Sequence, residues 1–147
     1  MARSRPNGQK FEAEIERYCN KKSTCIFSIR LRTPQARLAN VTNIADYLLL
    51  AKRVILLEAK ETGADSFSLN TFQQKEEVEK FKSFYSKARQ FYGKSLPYRV
   101  VVLVHFIRVG KYTAYFVDEG EFKVIRPDDP DCITASTLPE ILGQLLH

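Results

Sequence analysis

Long apolar runs are missing from this chain of 147 residues. None approaches the roughly 18 consecutive apolar positions of a membrane-spanning helix, and the opening MARSRPNGQK is not followed by the apolar stretch of a secretory signal. The sequence therefore predicts neither a membrane partner nor export, and points to the cytoplasm. Glycine and proline are scarce, six of each, while 44% of residues are hydrophobic. That balance excludes long disordered tracts and fits one ordered α/β domain spanning residues 1–147. Cysteine is limited to Cys19, Cys25 and Cys132, with no CxxC pair and an odd thiol left over. A reducing compartment fits this better than a disulfide framework, and a zinc site is not expected. Of the two histidines, His147 is terminal. His105 has no serine or cysteine near it in sequence and reads as a hydrogen-bonded sheet histidine.

Positive charge is plentiful but uneven. The net charge is +6, and residues 1–37 alone carry nine Lys/Arg against Glu12, Glu14 and Glu16, so the remainder is balanced. A basic arm (about 1–10) on a neutral body suggests a polyanionic partner, nucleic acid being the commonest; the alternative is a solubilising terminus.

Phe11, Ile15, Tyr18 and Cys19 recur at helical spacing, predicting a helix from about Gln9 to Lys21 with Glu12 and Glu16 along one side. Cys25, Phe27, Ile29 and Leu31 then alternate with Thr24, Ser28, Arg30 and Arg32, a half-buried strand whose polar face carries two arginines. Residues 33–43 lack a period and read as a loop or short protrusion. After a linking turn over 63–70, Thr71 and Gln74 form a capping box. Val78, Phe81, Tyr85, Ala88 and Tyr92 continue it as an amphipathic helix, and Gly93 suits its left-handed end. The aromatics Phe81, Phe84, Tyr85, Phe91 and Tyr92 are assigned to core packing. Val100–Val104 is apolar on both faces, as in a central strand. Strands over 112–117 and 122–125 follow, and Thr137, Pro139 and Glu140 open a last helix ending near Leu146. The order is αβββαββ plus a terminal helix, a mixed β-sheet flanked by helices.

The segment from Asp46 to Thr62 concentrates the chemistry. Leu48–Leu50 and Val54–Leu57 are strand-length apolar runs around a basic turn, with Asp46 opening the first and Glu58, Lys60 and Glu61 ending the second. Alternation puts Glu58 and Lys60 on one face with Ala59 opposite. With Lys52 as the apex of an odd-membered turn, Asp46 lies across from Glu58, about 5 Å away at Cβ. Carboxylates that close repel unless a cation lies between them, and oxygen donors favour Mg²⁺ or Mn²⁺. A metal-dependent phosphodiesterase site follows; the plainer reading is an ion-pair network capping the hairpin. The second Glu-x-Lys, Glu121-Phe122-Lys123, has no aspartate at the right upstream distance and reads as a solvated strand edge. Lys52 and Arg53 are a charged hairpin tip that could also meet DNA. Leu49, Ile55 and Leu57 leave an apolar face for a second copy or for a helix.

Glu58-Ala59-Lys60-Glu61-Thr62, followed by Ser66-Phe67-Ser68-Leu69 and Phe72, resembles the RecU-type Holliday junction resolvases of the PD-(D/E)xK nuclease superfamily. The likeness takes in Asp46-Tyr47, Thr33-Pro34-Gln35, Gly8-Gln9-Lys10-Phe11-Glu12 and the strand from Val100 to Phe106, about three quarters of the chain. It implies a restriction-endonuclease-like fold and a Mg²⁺-dependent endonuclease, with Mn²⁺ able to substitute. The partner would be branched DNA, cut as a homodimer by paired nicks, in a bacterial or virus-infected cell. By resemblance Asp46, Glu58 and the carbonyl of Ala59 are metal ligands, Lys60 serves the attacking water, and Glu12 is an accessory acid near the metal. A first-turn glutamate also stabilises a helix start. Arg3, Arg5, Lys10, Arg30, Arg32 and Arg37 would contact phosphates. Where the family often has a glutamine on the following helix, this chain has Glu76, leaving Gln73 or Gln74 one turn earlier. The segment from Thr33 to Asp46 is shorter than the stalk such enzymes push into a junction. Another nuclease of the superfamily, or a non-catalytic DNA-binding protein, are the alternatives.

Overall fold

The computed structural model describes residues 7–21, 24, 26–31, 45–69, 72–93, 98–117 and 124–147. The chain runs α1 (Asn7–Cys19), β1 (Phe27–Arg30), β2 (Tyr47–Leu50), β3 (Val54–Thr62), β4 (Phe67–Ser68), α2 (Phe72–Tyr92), β5 (Arg99–Phe106), β6 (Lys111–Phe116), β7 (Val124–Ile125), β8 (Ile133–Ala135) and α3 (Leu138–Leu146). Six strands form one sheet in the order β1-β2-β3-β5-β6-β8, and β4 pairs with β7 separately. Among the described strands only β3 and β5 run parallel, and the chain between them passes through β4 and α2. The other strand pairs are antiparallel.

The sheet's two faces are filled differently. Tyr47, Leu49, Ile55, Leu57, Val101 and Leu103 pack with Phe11, Ile15 and Cys19 of α1 and with Leu138, Ile141, Leu142, Leu145 and Leu146 of α3. The reverse face carries Leu56, Val100, Val102, Val104 and Phe106, joined by Ala45, Leu69, Val117 and Ile125. β5 is thus buried on both sides, as its unbroken apolar run predicts. Burying each such side chain contributes about 1.5–3 kcal/mol, so the two layers supply most of the driving force. Leu49, Ile55 and Leu57 meet helices; they are not left open for a second copy.

Local signals act as expected at the end of α2 and at the start of α3. Gly93 takes φ +68° and donates its N–H to Arg89 O at 2.8 Å, closing α2. Thr137 Oγ1 accepts from Glu140 N–H at 3.3 Å at the start of α3, with Pro139 in the first turn. Thr71 and the side chain of Gln74 lie outside the described residues, so the proposed capping box does too. Gly110 takes φ +63° in the β5–β6 turn, where a side chain would be strained.

Several expectations need correcting. α1 begins at Asn7 and ends at Cys19, two residues earlier at each end than periodicity suggested. The run 63–70 is more than a turn, since Phe67 and Ser68 pair with Ile125 and Val124. β8 adds an edge strand beyond β6. Phe91 and Tyr92 are 85% and 59% exposed, so these two aromatics of α2 are not core. In β1 the faces are reversed: Phe27 and Ile29 are 63% and 39% exposed, while Arg30 turns to α1 and pairs with Glu12 and Glu16.

Candidate metal and phosphodiester site

The hairpin register decides the geometry. Leu50 pairs with Val54, Leu49 with Ile55, Leu48 with Leu56 and Tyr47 with Leu57, so Lys52 is the apex. One step further the same register sets Asp46 across from Glu58. Here β2 ends: Leu31 N–H donates to Asp46 O at 2.9 Å, and Asp46 N–H donates to Leu57 O at 3.0 Å. β3 runs on beside β5, so the next donor on its β2 side, Ala59 N–H, has no strand to receive it. The Asp46 carboxylate takes that place, Oδ2 accepting from Ala59 N–H at 2.9 Å. A strand residue's N–H and C=O point to the same edge, so the Ala59 carbonyl faces this opening too.

Asp46 and Glu58 are among the most buried charged residues described, 3% and 1% exposed. Lys60 stands on the same face as Glu58 and brings Nζ within 3.3 Å of its Oε1. The other oxygens, Asp46 Oδ1 and Glu58 Oε2, are buried and accept no hydrogen bond from the described residues. Among the described residues one ammonium stands against these two buried carboxylates, a pairing that a divalent cation would complement. Two carboxylates and a carbonyl are hard oxygen donors of the kind that suit Mg²⁺ or Mn²⁺. No three His, Cys, Asp or Glu converge among the described residues. An ion held here would complete its shell with water and substrate phosphate, as Mg²⁺ commonly does.

Glu12 is placed differently. It belongs to α1, which packs on the opposite face of the sheet, and its carboxylate lies 3.5 Å from Arg30. Arg30 also reaches Glu16 at 3.9 Å, and Tyr47 O–H donates to the Glu12 carbonyl at 3.4 Å. The structure therefore brings together Asp46, Glu58, Ala59 and Lys60, and sets Glu12 with Arg30. Lys10 is exposed on α1. Arg3, Arg5, Arg32 and Arg37, and the side chains of Gln73 and Gln74, lie outside the described residues, as do Glu121 and Lys123.

The next odd position of β3 holds a group that sequence reasoning did not pair. Glu61 Oε2 lies 2.8 Å from His105 Nδ1 on the α1 side, and the His105 ring stacks on Tyr112 with centroids 4.3 Å apart. No local pattern links residues 44 apart; the signal was the parallel register Glu61↔His105, visible only once β3 and β5 are neighbours. On the same side, burial pushes the Cys19 thiol up to about 11, aided by the Glu16 carboxylate. Burial, then Glu16 and Glu12, also raises the Tyr47 phenol above its ordinary value. Burial, then Glu14 and Glu61, does the same for Tyr112.

No protein-family model matches the chain. No curated protein matches it either. Among solved structures it is similar to Hjc, a Holliday junction resolvase of the archaeal hyperthermophile Archaeoglobus fulgidus. That match has a TM-score of 0.50 and 17% identity, covering 87% of each chain. At that identity the likeness establishes a shared fold: a mixed sheet flanked by helices, of the kind expected from the sequence.

Proposed function

We propose that this protein is a divalent-metal-dependent endonuclease acting on four-way DNA junctions. The observation that carries the reading is the buried pair Asp46–Glu58, set in register where β2 leaves β3, with Lys60 on Glu58. The fold shared with an archaeal junction resolvase supports it. The likeness of Glu58-Ala59-Lys60-Glu61-Thr62 to the RecU type narrows it further.

A divalent ion, when bound, supplies positive charge at the scissile phosphate and makes water easier to deprotonate. Asp46, Glu58 and the Ala59 carbonyl would hold it, Mg²⁺ being the ion we expect and Mn²⁺ a substitute. The Ala59 N–H fixes the Asp46 carboxylate, so that ligand is preorganised. Water gives up a proton to solvent as its oxygen bonds to phosphorus, the bond to the leaving sugar oxygen breaks, and that oxygen takes up a proton from solvent. Lys60 places an ammonium beside the site, where it orients the attacking water and stabilises charge growing on the phosphate oxygens. The basic arm with Arg3, Arg5 and Lys10, together with Arg32, Arg37, Gln73 and Gln74, would grip the DNA, the cations on phosphates, which gives affinity without sequence information. A junction has two-fold symmetry, so a homodimer with two sites would make paired symmetric nicks.

Labelled four-way junction, linear duplex and flap substrates, each with and without Mg²⁺ or Mn²⁺ and sized on a denaturing gel, decide the matter. The junction should be cut at symmetric positions only with metal. Equal cutting of duplex and flap would make this a different nuclease of the superfamily, and junction binding without any cutting would make it a DNA-binding protein.

A further inference from the structure

β1 closes one end of the six-stranded sheet, and among the described strands it pairs with β2 alone. Leu31 N–H reaches inward to Asp46 O, so Phe27 and Ile29, in step with it, also bond toward β2. The N–H and C=O groups of Ser28 and Arg30 therefore point outward, a row of donors and acceptors along a sheet edge. Phe27 and Ile29 are exposed, and with Leu31 they form an apolar stripe on this edge. Ile29 lies across from Leu48 and Phe27 across from Leu50, so the stripe shares a sheet face with Asp46 and Glu58. Charges and prolines commonly blunt such an edge. β1 has only Arg30, which is turned to the other face and held by Glu12 and Glu16.

We propose that this edge docks a second copy of the chain, the two β1 strands lying antiparallel about a two-fold axis at Ile29. Directly opposed residues share a face, so the axis must pass through a residue, and the strand's composition selects which one. An axis at Arg30 sets two guanidinium groups against each other, and an axis at Ser28 sets Arg30 against Ile26. An axis at Ile29 places Ile29 on its own mate, Phe27 on Leu31 of the other copy and Ser28 on Arg30 of the other copy. Apolar then meets apolar, polar meets polar, and the outward groups of Ser28 and Arg30 all bond across the axis. That match of the strand to itself is what favours a second copy as the occupant. With strands about 4.8 Å apart and about 3.4 Å per residue, the two Asp46 positions fall roughly 20 Å apart on one face of a continuous sheet. A single four-way junction laid on that face meets both sites; this use of the dimer rests on the nuclease reading, whereas the surface itself does not. The four residues of β1 are few beside the roughly 20–30 a side of a standard interface. The free dimer is therefore concentration-dependent, and a junction spanning both sites tightens it.

The test joins a disulfide trap to sedimentation equilibrium, both on the full chain, with and without a labelled four-way junction in EDTA. Opposed residues of a non-hydrogen-bonded pair have Cα atoms about 4.5 Å apart, within disulfide reach. Ile29→Cys should therefore link the two copies at position 29 under mild oxidation, as peptide mass would show. Phe27→Cys, roughly 14 Å from its own mate, should not link to itself. Wild type, with its three native cysteines, is the control. Ile29→Asp sets like charges on the axis and should raise the dimer dissociation constant at least about tenfold. Phe27→Ser, a milder change at a more exposed position, should act in the same direction with the melting curve unchanged. No link at position 29, even with junction present, or equal linking by Phe27→Cys, overturns the interface. So does a loss of junction affinity in Ile29→Asp and Phe27→Ser with sedimentation unchanged, since the stripe would then face DNA. A link at position 29 in a protein that cuts no junction in Mg²⁺ keeps the dimer and sinks the nuclease reading. Symmetric cutting without the link does the reverse.

Discussion

Lys60 stands on Glu58, across the hairpin register from Asp46, and Glu12 and Glu16 share Arg30: two acids and a base in each case, built on opposite faces of one sheet. The first pair of acids is almost wholly buried, whereas the side chains of the second are 22% and 33% exposed and their arginine is 52% exposed. Water and salt screen the outer trio, so it costs little to keep and contributes little. The inner trio is shielded, and the strand register holds its two carboxylates close together. Two acids and a base therefore make a half-exposed ion-pair cluster in one place and a buried group, which we propose as the metal site, in the other. Burial makes the difference.

The sharpest way to break that contrast is to neutralise one inner acid. Asp46→Asn should lower metal-dependent cleavage by more than about a thousandfold while leaving junction binding in EDTA intact. It should also abolish the stabilisation that metal confers on wild type, about 2.7 kcal/mol at a hundred times Kd. Cleavage at the wild-type rate would remove Asp46 from the mechanism, and an unchanged metal-induced rise in melting temperature would remove it from the ligand set.

Lys60→Gln comes next. If its ammonium acts on the developing charge, cleavage should fall about a hundredfold with little change in junction affinity. Were Lys60 only the counter-ion of Glu58, the variant would instead bind metal more tightly and cut nearly as well, which single-turnover rates at saturating Mg²⁺ would show.

How far each trio could be read from sequence follows from what local pattern can carry. The inner one was legible because charges interrupt two apolar runs, and the alternation of Leu56, Glu58 and Lys60 fixes their common face. The apex at Lys52 rested on an odd-membered turn between those runs, which the Leu50↔Val54 pairing has. The outer trio was half legible. Period two correctly grouped Ser28 with Arg30 and Phe27 with Ile29, but which group faces a helix depends on where that helix lies. The missed clue was complementarity: Glu12 and Glu16, four apart on α1, offer a negative stripe that the arginine side of β1 can meet. β4 and β8, two or three residues each, are too short for any period to emerge, whereas β7 falls within the strand expected over 122–125. The His105–Glu61 pair depends on the parallel β3–β5 register and had no local trace.

A third measurement sharpens the contrast from the alkaline side, since the raised thiol and phenol lie on the α1 face. Cys19 stays protonated up to about 11 in the fold against 9.0 ordinarily, through burial and then Glu16. The unfolded chain therefore loses that proton first. Its stabilising effect is complete below pH 9 and is lost as pH rises to about 11, roughly 2 kcal/mol in all. Tyr47, raised in the same direction, adds a decline beginning above pH 10. Urea midpoints for wild type and Cys19→Ala at intervals from pH 8 to 11 should converge as pH rises, because the variant lacks the thiol's share of the loss. Parallel curves would place the alkaline sensitivity elsewhere.

The smallest expected effect is the most direct check on the outer trio. Arg30→Gln removes a charge that sequence reasoning gave to DNA but that the structure gives to Glu12 and Glu16. A half-exposed ion pair is worth less than about 1 kcal/mol, so the urea midpoint should barely move. Junction affinity should stay within about twofold, and the salt slope should not change, because a cation already neutralised by protein carboxylates releases no counterion from DNA. A slope reduced by about one would mean that Arg30 leaves its glutamates for a phosphate on binding. The two trios would then differ in free protein only, and the α1 face would join the DNA-binding surface.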